Sequence, residues 1–239
     1  MDRLTATEEF LDGPLDDPAT LAGNLRDLRR VNRLLGGVRL SRTAVDRLLA
    51  SAGAANGAPV TMLDVGTGGA DIPVALLADA RRRGRRLDIV AVDARPEILA
   101  AATSIRPNLA RTPGLTLAVS DGRSLPYPDA AFDIAHASLV LHHSADGDAV
   151  TLLREMARVA RVGVVVNDLS RTRIHWLGAW LIANLLTRNA FTRHDGPLSV
   201  QRAYRPAEMR DLLHQAGLRP VAQVGGFVGH RYAIAAVHR

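Results

Sequence analysis

A glycine-rich run flanked by two carboxylates is the first part of the sequence that could do chemistry. The run is Asp64-Val65-Gly66-Thr67-Gly68-Gly69-Ala70-Asp71, and its glycines let a ligand lie against the main chain with no Cβ in the way. A dinucleotide would need a third glycine at Asp71, where a carboxylate instead repels a pyrophosphate. A lysine-containing phosphate loop is excluded because the sequence has no lysine. The two carboxylates therefore favour a ligand with cationic groups.

Two adjacent histidines, His142 and His143, are the candidate catalytic residues. Histidine is the usual base near neutral pH, for example for a phenol with a pKa of about 10. Adjacent side chains point in different directions, so we expect at most one of the two to be the base, and we favour His143. The alternative, that one ring packs and the other only shapes a pocket, stays open. The acidic residues that follow have ordinary turn composition, and we predict no metal site.

Alternating strands and helices must position these groups. Short apolar, β-branched runs predict strands over residues 60–65, 87–93, 115–119, 132–140 and 162–168, with helices over 71–83, 96–104 and 148–159. This alternation predicts a parallel sheet covered on both faces, whose ligands bind at the carboxyl ends of the strands. A helix over 206–216 and strands over 220–224 and 232–237 follow, and the two strands are close enough for an antiparallel hairpin.

Helices also precede the sheet. Pro18 to Leu35 has apolar residues at three- and four-residue spacing and is predicted to end at Gly36-Gly37. A second helix is predicted over Ser41–Ala52 with Ser41 as its N-cap, followed by a flexible hinge over Gly53–Pro59. We therefore predict a helical cap over 1–55 and a catalytic domain over 56–239, with a substrate-lid insertion at about 169–200.

The motifs resemble, in order, those of class I S-adenosylmethionine-dependent methyltransferases. The glycine run matches the first motif of that family, except that Ala70 replaces its last glycine. Further matches are Asp93, Asp121-Gly122, Leu125-Pro126-Tyr127-Pro128-Asp129 with Phe132-Asp133, and Leu141-His142-His143. The resemblance covers residues 60–237. It implies an α/β fold with a Rossmann-like, mostly parallel seven-stranded sheet, helices on both faces, a C-terminal antiparallel hairpin and the helical N-terminal cap.

The resemblance also implies the cofactor, S-adenosyl-L-methionine, with S-adenosyl-L-homocysteine as product. The expected cofactor-binding residues are Asp64, Gly66, Thr67, Gly68, Asp71, Asp93, Ala94, Asp121, Gly122, Ser138 and Arg33. Asp93 is expected to accept hydrogen bonds from both ribose hydroxyls, and Asp121-Gly122 to lie beside the adenine. The cofactor carries a sulfonium and an ammonium group, and a nearby carboxylate interacts favourably with both positive charges. Asp71 could instead cap its helix.

The insertion offers an acceptor site. Candidate substrate-binding residues are Asp168, Arg171, His175, Trp176 and Trp180, which together give an aromatic wall with a few polar groups. The two tryptophans could equally belong to the core. The resemblance implies O-methylation of a phenolic hydroxyl on a small aromatic or polyketide-like molecule of secondary metabolism. Alternatives are a C-methyltransferase of quinone biosynthesis, an RNA methyltransferase and a non-catalytic cofactor-binding module.

The amino-acid composition excludes several kinds of site and binding partner. The 239 residues contain no cysteine, which excludes disulfides, thiolate metal sites and a cysteine nucleophile. All thirty basic residues are arginine and the net charge is +6, a pattern typical of a GC-rich genome, so we expect no nucleic-acid partner. The apolar stretch Ile174–Leu186 is shorter than the roughly 18 residues of a membrane span. No signal peptide is evident, and we predict a cytoplasmic protein that could form a homodimer.

Overall fold

Seven β-rich runs of the sequence assemble into one sheet. The computed structural model describes residues 1–5, 7–53 and 58–239. The strands are β1 (Val60–Val65), β2 (Leu87–Asp93), β3 (Leu115–Val119), β4 (Phe132–Ser138), β5 (Ala160–Leu169), β6 (Leu218–Gly225) and β7 (Arg231–His238). Their order is β3-β2-β1-β4-β5-β7-β6. The first five strands are parallel and β7 is antiparallel to both of its neighbours, so the predicted fold class is confirmed.

Eight α-helices flank the sheet in the described residues. They are α1 (Pro18–Leu34), α2 (Gly37–Ser51), α3 (Asp71–Arg82), α4 (Pro96–Ile105), α5 (Asp146–Val159), α6 (Arg173–Leu185), α7 (Ala190–Arg202) and α8 (Pro206–Gln215). Apolar residues of α5 and α8 pack on one face of the sheet, and those of α1 to α4 on the other. The period of two in β1 divides its side chains accordingly, since Leu63 and Val65 face the first layer and Met62 the second.

The sheet order reverses between β1 and β4, which continue to opposite edges. In open parallel sheets such a reversal leaves a crevice at the carboxyl ends of the two strands. The glycine run follows β1 at this crevice, and the two histidines follow β4. The fold therefore brings the two chemical features of the sequence to one edge of the sheet.

Several predicted boundaries are wrong for local backbone reasons. Gly36 has a φ of +82°, so the chain reverses there and α2 begins at Gly37 rather than at Ser41. Ser41 is consequently a buried residue inside α2 and not an N-cap. β4 ends at Ser138 because Leu139 adopts a φ of +58°, and the histidines lie on the single 3-10 turn Leu141–His143.

Two further predictions concern linkers and membranes. Most of the predicted hinge over Gly53–Pro59 lies outside the described residues, which break off between 53 and 58. The insertion after β5 forms α6 and α7. In the described parts of the chain, no helix has the length and apolarity that a membrane crossing requires.

Candidate functional site

A cavity of about 370 Å³ occupies the crevice beyond β1, β2 and β4. Nine of the residues predicted to bind the cofactor line it: Gly66, Thr67, Gly68, Asp71, Asp93, Ala94, Asp121, Gly122 and Ser138. They come from the turns after four different strands. Parallel strands place such turns side by side, which is why motifs spread over some seventy residues converge on one cavity.

The glycine turn is shaped to admit a ligand. Gly66 and Gly68 have φ values of +65° and +54°, a conformation that glycine adopts without a steric penalty. A Cβ on Gly66 would lie 2.5 Å from Val140 Cγ2, whereas a Cβ on Gly68 would meet nothing within 4 Å. Between them, the Thr67 hydroxyl is buried with no hydrogen-bond partner. Open space beside an unpartnered hydroxyl fits a ligand that forms hydrogen bonds.

Asp93 ends β2 inside the cavity. Its Oδ2 accepts a hydrogen bond from the Gly68 N–H (2.9 Å) and its Oδ1 accepts one from the Arg95 N–H (3.1 Å). Burial raises the pKa of Asp93 above its ordinary value, and the charge of Asp64 adds to this effect, although the two backbone bonds oppose it. Each carboxylate oxygen can accept a second hydrogen bond, so Asp93 fits a vicinal diol such as the ribose of a nucleoside.

Asp71 is the first residue of α3, and Ala70 holds the cap position before it. The capping alternative for Asp71 is therefore wrong. Burial raises the pKa of the Asp71 carboxyl, while a hydrogen bond from Asn32 and the charges of Arg231 and Arg106 lower it. Asp71 and Asn32 line the cavity together, and they offer it a polar wall.

Two of the residues predicted to bind the cofactor do not line this cavity. Asp64 does not line the cavity, because its position in β1 directs it to the opposite face from Leu63 and Val65. Its carboxylate instead accepts a hydrogen bond from His136 Nδ1 at 2.5 Å in the protein interior. Arg33 is exposed on α1, and it is the preceding residue, Asn32, that reaches the cavity. One helical position rotates a side chain by about 100°, which explains the displacement.

A second, largely apolar cavity of about 360 Å³ lies beside the first. Residues of α1, α6 and α7 form most of its wall. Leu11, Leu28, Leu139 and His143 line both cavities, so the two meet at these side chains. The positive φ of Leu139 is uncommon for leucine, and it occurs at this junction.

Each histidine is oriented by a carboxylate. His142 Nδ1 lies 2.7 Å from Asp168 Oδ1, and both residues are buried. Burial would raise the pKa of Asp168, but the charge and hydrogen bond of His142 hold it below its ordinary value. His143 Nδ1 lies 2.8 Å from Asp12 Oδ1. Although burial opposes the shift, the hydrogen bond and charge of His143 lower the pKa of Asp12 to about 2.

Glu9 is a site residue that the sequence did not indicate. It lines the apolar cavity with only 3% of its surface exposed, and burial raises its pKa to about 7. Its Oε2 accepts a hydrogen bond from Ser199 Oγ at 2.9 Å, while its Oε1 has no hydrogen-bond partner. Glu9 precedes the first helix in a segment without periodicity, so no pattern could have identified it.

The predicted substrate residues divide into three groups. His175 lines the apolar cavity as expected. Asp168 does not line it and instead orients His142, and Arg171 is buried against Glu208 and main-chain carbonyls. Trp176 and Trp180 also do not line it, because α6 turns a different face towards the cavity. The inward residues of α6 are Ile174, His175, Gly178, Ala179, Ile182 and Ala183.

Glu9, His142 and His143 also form a group with potential metal-ligand atoms within 4.8 Å of one another. Three of their polar atoms already have partners, since His142 Nδ1 lies 2.7 Å from Asp168, His143 Nδ1 lies 2.8 Å from Asp12, and Glu9 Oε2 accepts from Ser199. We therefore assign the group to hydrogen bonding and proton transfer. The absence of a metal site stays a prediction.

Comparison with known proteins places these features in context. Residues 63–166 match a family model described as a methyltransferase domain. The chain is 32% identical over 144 residues to malonyl-[acyl-carrier protein] O-methyltransferase from Halorhodospira halophila. The aligned region covers 59% of this chain and 46% of that protein. The chain thus spans about half the length of this curated relative.

Solved structures share the fold. A SAM-dependent methyltransferase from Aquifex aeolicus superposes with a TM-score of 0.61 at 19% identity, covering 93% of this chain and 99% of that one. Human N-acetylserotonin methyltransferase in complex with SAM gives a TM-score of 0.66 at 18% identity, covering 97% of this chain and 62% of that one. At these identities the likeness is one of fold.

Proposed function

We propose that this chain, which carries a class I S-adenosylmethionine-dependent methyltransferase domain, methylates a phenolic hydroxyl of a small aromatic or polyketide-like acceptor. The observation that carries the proposal is the junction of the two cavities at His143. One cavity has the glycine turn and carboxylates that suit the cofactor, and the other is apolar and suits a ring. A histidine that lines both cavities would be able to take the proton of an acceptor hydroxyl.

The residues of the polar cavity fit the cofactor. Asp93 would accept hydrogen bonds from the ribose hydroxyls, and the unpartnered Thr67 hydroxyl would bond to the ligand beside the glycine turn. Asp121 and Gly122 would flank the adenine on the far side. When bound, S-adenosylmethionine supplies a methyl carbon already activated by its sulfonium.

The chain's own contribution is alignment and proton removal. His143, whose Nδ1 is held by Asp12, would present Nε2 to the acceptor hydroxyl and take its proton as the new bond to oxygen forms. The apolar wall of the second cavity would exclude water from the reacting atoms. His142, fixed by Asp168 on the other side, lines only the acceptor cavity.

The lining of the second cavity favours a small molecule over a nucleic acid as the acceptor. Its lining is mostly apolar and includes helices α6 and α7, whereas single-stranded nucleic acids need a basic groove with exposed stacking rings. A homodimer and a cytoplasmic location stay predictions.

Transfer of labelled methyl groups tests the proposal. The purified chain with labelled S-adenosylmethionine and a panel of phenols should yield labelled aryl methyl ethers. His143→Gln should slow transfer at pH 7 by at least about a hundredfold, and the loss should shrink above pH 10, where the phenol ionises without help. His238→Gln, a histidine of β7 bonded to the Ala160 carbonyl, is the matched control. Label found only on carbon, or in no product, would contradict the proposal.

A further inference from the structure

Glu9 is a buried carboxylate that lines the acceptor cavity, and its Oε1 has no hydrogen-bond partner. Leaving a buried polar atom without a hydrogen bond is unfavourable, and more so for a charged group. Arg202 does not satisfy Oε1, because its Nε lies 3.8 Å away and donates to the His142 carbonyl instead. The remaining acceptor capacity of Glu9 is available to a hydrogen-bond donor in the cavity.

His142 presents the complementary atom. Asp168 holds its Nδ1 at 2.7 Å, which directs Nε2 towards Glu9, and Nε2 lies 3.8 Å from Glu9 Oε1. This separation is too long for a direct hydrogen bond, but an oxygen placed between the two atoms can lie about 2.8 Å from both. A hydroxyl both donates and accepts, so it satisfies the pair whichever partner holds their proton.

This pair is separate from the methyl-transfer position but adjacent to it. The rings of His142 and His143 are 4.3 Å apart between centroids, and His143 alone of the two also lines the cofactor cavity. A hydroxyl at His143 and another at the Glu9–His142 pair are therefore within the span of one aromatic ring.

We propose that Glu9 and His142 bind a second oxygen of the acceptor, so that the preferred acceptor is an aromatic ring with two hydroxyl groups, one methylated at His143 and one held by this pair. The inference rests on the proposed function and specifies its substrate class. The apolar remainder of the cavity accommodates an alkyl substituent on that ring.

Two probes that differ by one hydroxyl test this inference: 5-pentylresorcinol and 3-pentylphenol. The wild-type chain should bind and methylate the resorcinol with the lower KM. Glu9→Gln should raise the KM for the resorcinol about tenfold, the expected effect of weakening one hydrogen bond to a charged group, and leave the KM for the phenol within about twofold. Glu8→Gln, the same change at the exposed neighbouring residue, is the matched control and should change neither KM.

Calorimetry separates this inference from the proposed function. Loss of resorcinol affinity in Glu9→Gln, measured in the presence of S-adenosylhomocysteine, supports the inference even if no methyl group is transferred. Equal affinity of the wild type for both probes would overturn it, as would an equal loss for both probes in the variant. Activity abolished by a chelator and restored by a divalent metal would also overturn it, because the same atoms would then be ligands.

A second inference concerns the outer face of α6. Leu177, Trp180, Leu181 and Leu185 are large apolar residues that are exposed on this helix and do not line the acceptor cavity, and Leu185 is 73% exposed. The inner face of the same helix lines the acceptor cavity. A patch of this kind marks an interaction surface.

The charges around α6 indicate the partner. No acidic residue occurs between 169 and 194, where the exposed Arg173 begins α6 and the exposed Arg188 lies three residues beyond its end. Residues 28–45 of α1 and α2 contain five arginines and no acidic residue, and two of these arginines pair with Asp27 and Asp79. The two segments adjoin, because Thr187 Oγ1 donates to Asp27 of α1. Two copies meeting through this patch would place arginine against arginine, whereas an anionic bilayer surface matches both its apolar and its basic groups.

We infer that α6 lies in the surface of an anionic membrane, from which an alkyl-substituted acceptor reaches the cavity. Vesicles of phosphatidylglycerol and phosphatidylcholine should sediment the chain at least about tenfold better than pure phosphatidylcholine, with salt weakening binding. Leu177→Ser with Leu181→Ser should lose this binding, and Val119→Ser, another exposed apolar residue, should keep it. In Trp176→Phe, Trp180 alone reports insertion by a blue-shifted emission.

Equal binding to both vesicles would overturn this second inference. So would a dimer in sedimentation velocity that the double serine variant dissociates, because α6 would then be a self-association surface.

Discussion

Single carboxylates decide what each cavity can hold, and Asp93 is the sharpest case. Asp93→Asn keeps the size of the side chain but removes one acceptor and the charge. We expect binding of S-adenosylhomocysteine to weaken at least about tenfold, since a hydrogen bond to a charged group contributes about 1.5–3 kcal/mol. Calorimetry measures this, with Asp88→Asn, an exposed residue at the start of the same strand, as control. Unchanged affinity would show that Asp93 does not hold the ribose.

The cost of burying Glu9 is itself measurable. Its pKa of about 7 lies above the ordinary value of 4.5 because of burial, so the folded state binds this proton more tightly than the unfolded state. The contribution to stability is therefore present below about pH 4.5 and is lost as the pH rises to about 7. Around the carboxyl, His143 and Ser199 lower the pKa, and Asp195 and Asp12 raise it.

Glu9→Gln should consequently stabilise the protein at pH 8 by about 2 kcal/mol and change little at pH 5. That is a rise in Tm of several degrees for a chain of this size, measured by thermal unfolding at both pH values. A variant less stable at pH 8 than the wild type would mean that the ionised carboxylate is already satisfied. The substitution that weakens binding of the resorcinol should thus increase the stability of the folded protein, and such an exchange of stability for function is typical of binding sites.

The sequence predicts which residues line the cavity where a motif identifies the turn that forms the lining. It does not predict them where the direction of a side chain determines whether it reaches the cavity. Gly66, Thr67 and Asp93 lie at the cavity because the turn after a strand is itself the lining. Asp64 and Trp180 point elsewhere, since one residue along a strand or helix changes the face. Glu9 depends on His142 and Ser199, which are more than 130 residues away in the chain, a relation that no local pattern carries.

Among the elements, the α1–α2 corner shows how two neighbouring glycines have different roles. A Cβ on Gly36 would meet nothing within 4 Å. Gly36→Ala should therefore lower the free energy of unfolding by only about 1 kcal/mol, because alanine is less stable than glycine in the left-handed backbone conformation at this position. A Cβ on Gly37 would lie 2.5 Å from Arg231 Nη1 and 2.8 Å from Asn32 Oδ1. Gly37→Ala should therefore cost more, about 2–3 kcal/mol.

Urea unfolding of the two alanine variants measures these costs. Gly147→Ala is the control, because it lies in the first turn of α5, where a Cβ meets nothing within 4 Å, and it should be neutral or stabilising. Equal losses at 36 and 37 would show that α2 can shift away from Arg231.

The order and type of the elements were predictable because the hydrophobic period changes from 3.6 to 2 at each transition. The start of α2 was not, since glycine both ends a helix and permits a corner, and only the buried contact of Gly37 with Arg231 distinguishes the two. α1 and α2 also share an apolar layer with β1 and β2. The division into a cap over 1–55 and a domain over 56–239 stays a prediction.

In the molecule as a whole, the acceptor site is assembled from segments far apart in sequence, and Arg202 of α7 holds them together. Its Nη1 donates to the Thr7 carbonyl and to Asp12 Oδ2, both at 2.9 Å. Its Nε and Nη2 donate to the carbonyls of His142 and His143 at 3.2 and 2.8 Å. One buried guanidinium thus joins the N-terminal segment, α7 and the histidine turn, which is why the site exists only once the whole chain has folded.

Arg202→Lys keeps the charge but cannot reproduce this fork of donors. We expect a loss of about 2–3 kcal/mol in stability, because buried carbonyls are left unpaired, and a Tm several degrees lower. The KM for the acceptor should rise more than the affinity for S-adenosylhomocysteine falls, since Glu9 and the histidines lie at the acceptor side while the glycine turn has no contact with Arg202. Arg193→Lys, an exposed residue of the same helix, should change neither. An equal loss of affinity for both ligands would instead mean that Arg202 stabilises the fold as a whole and does not specifically position the acceptor cavity.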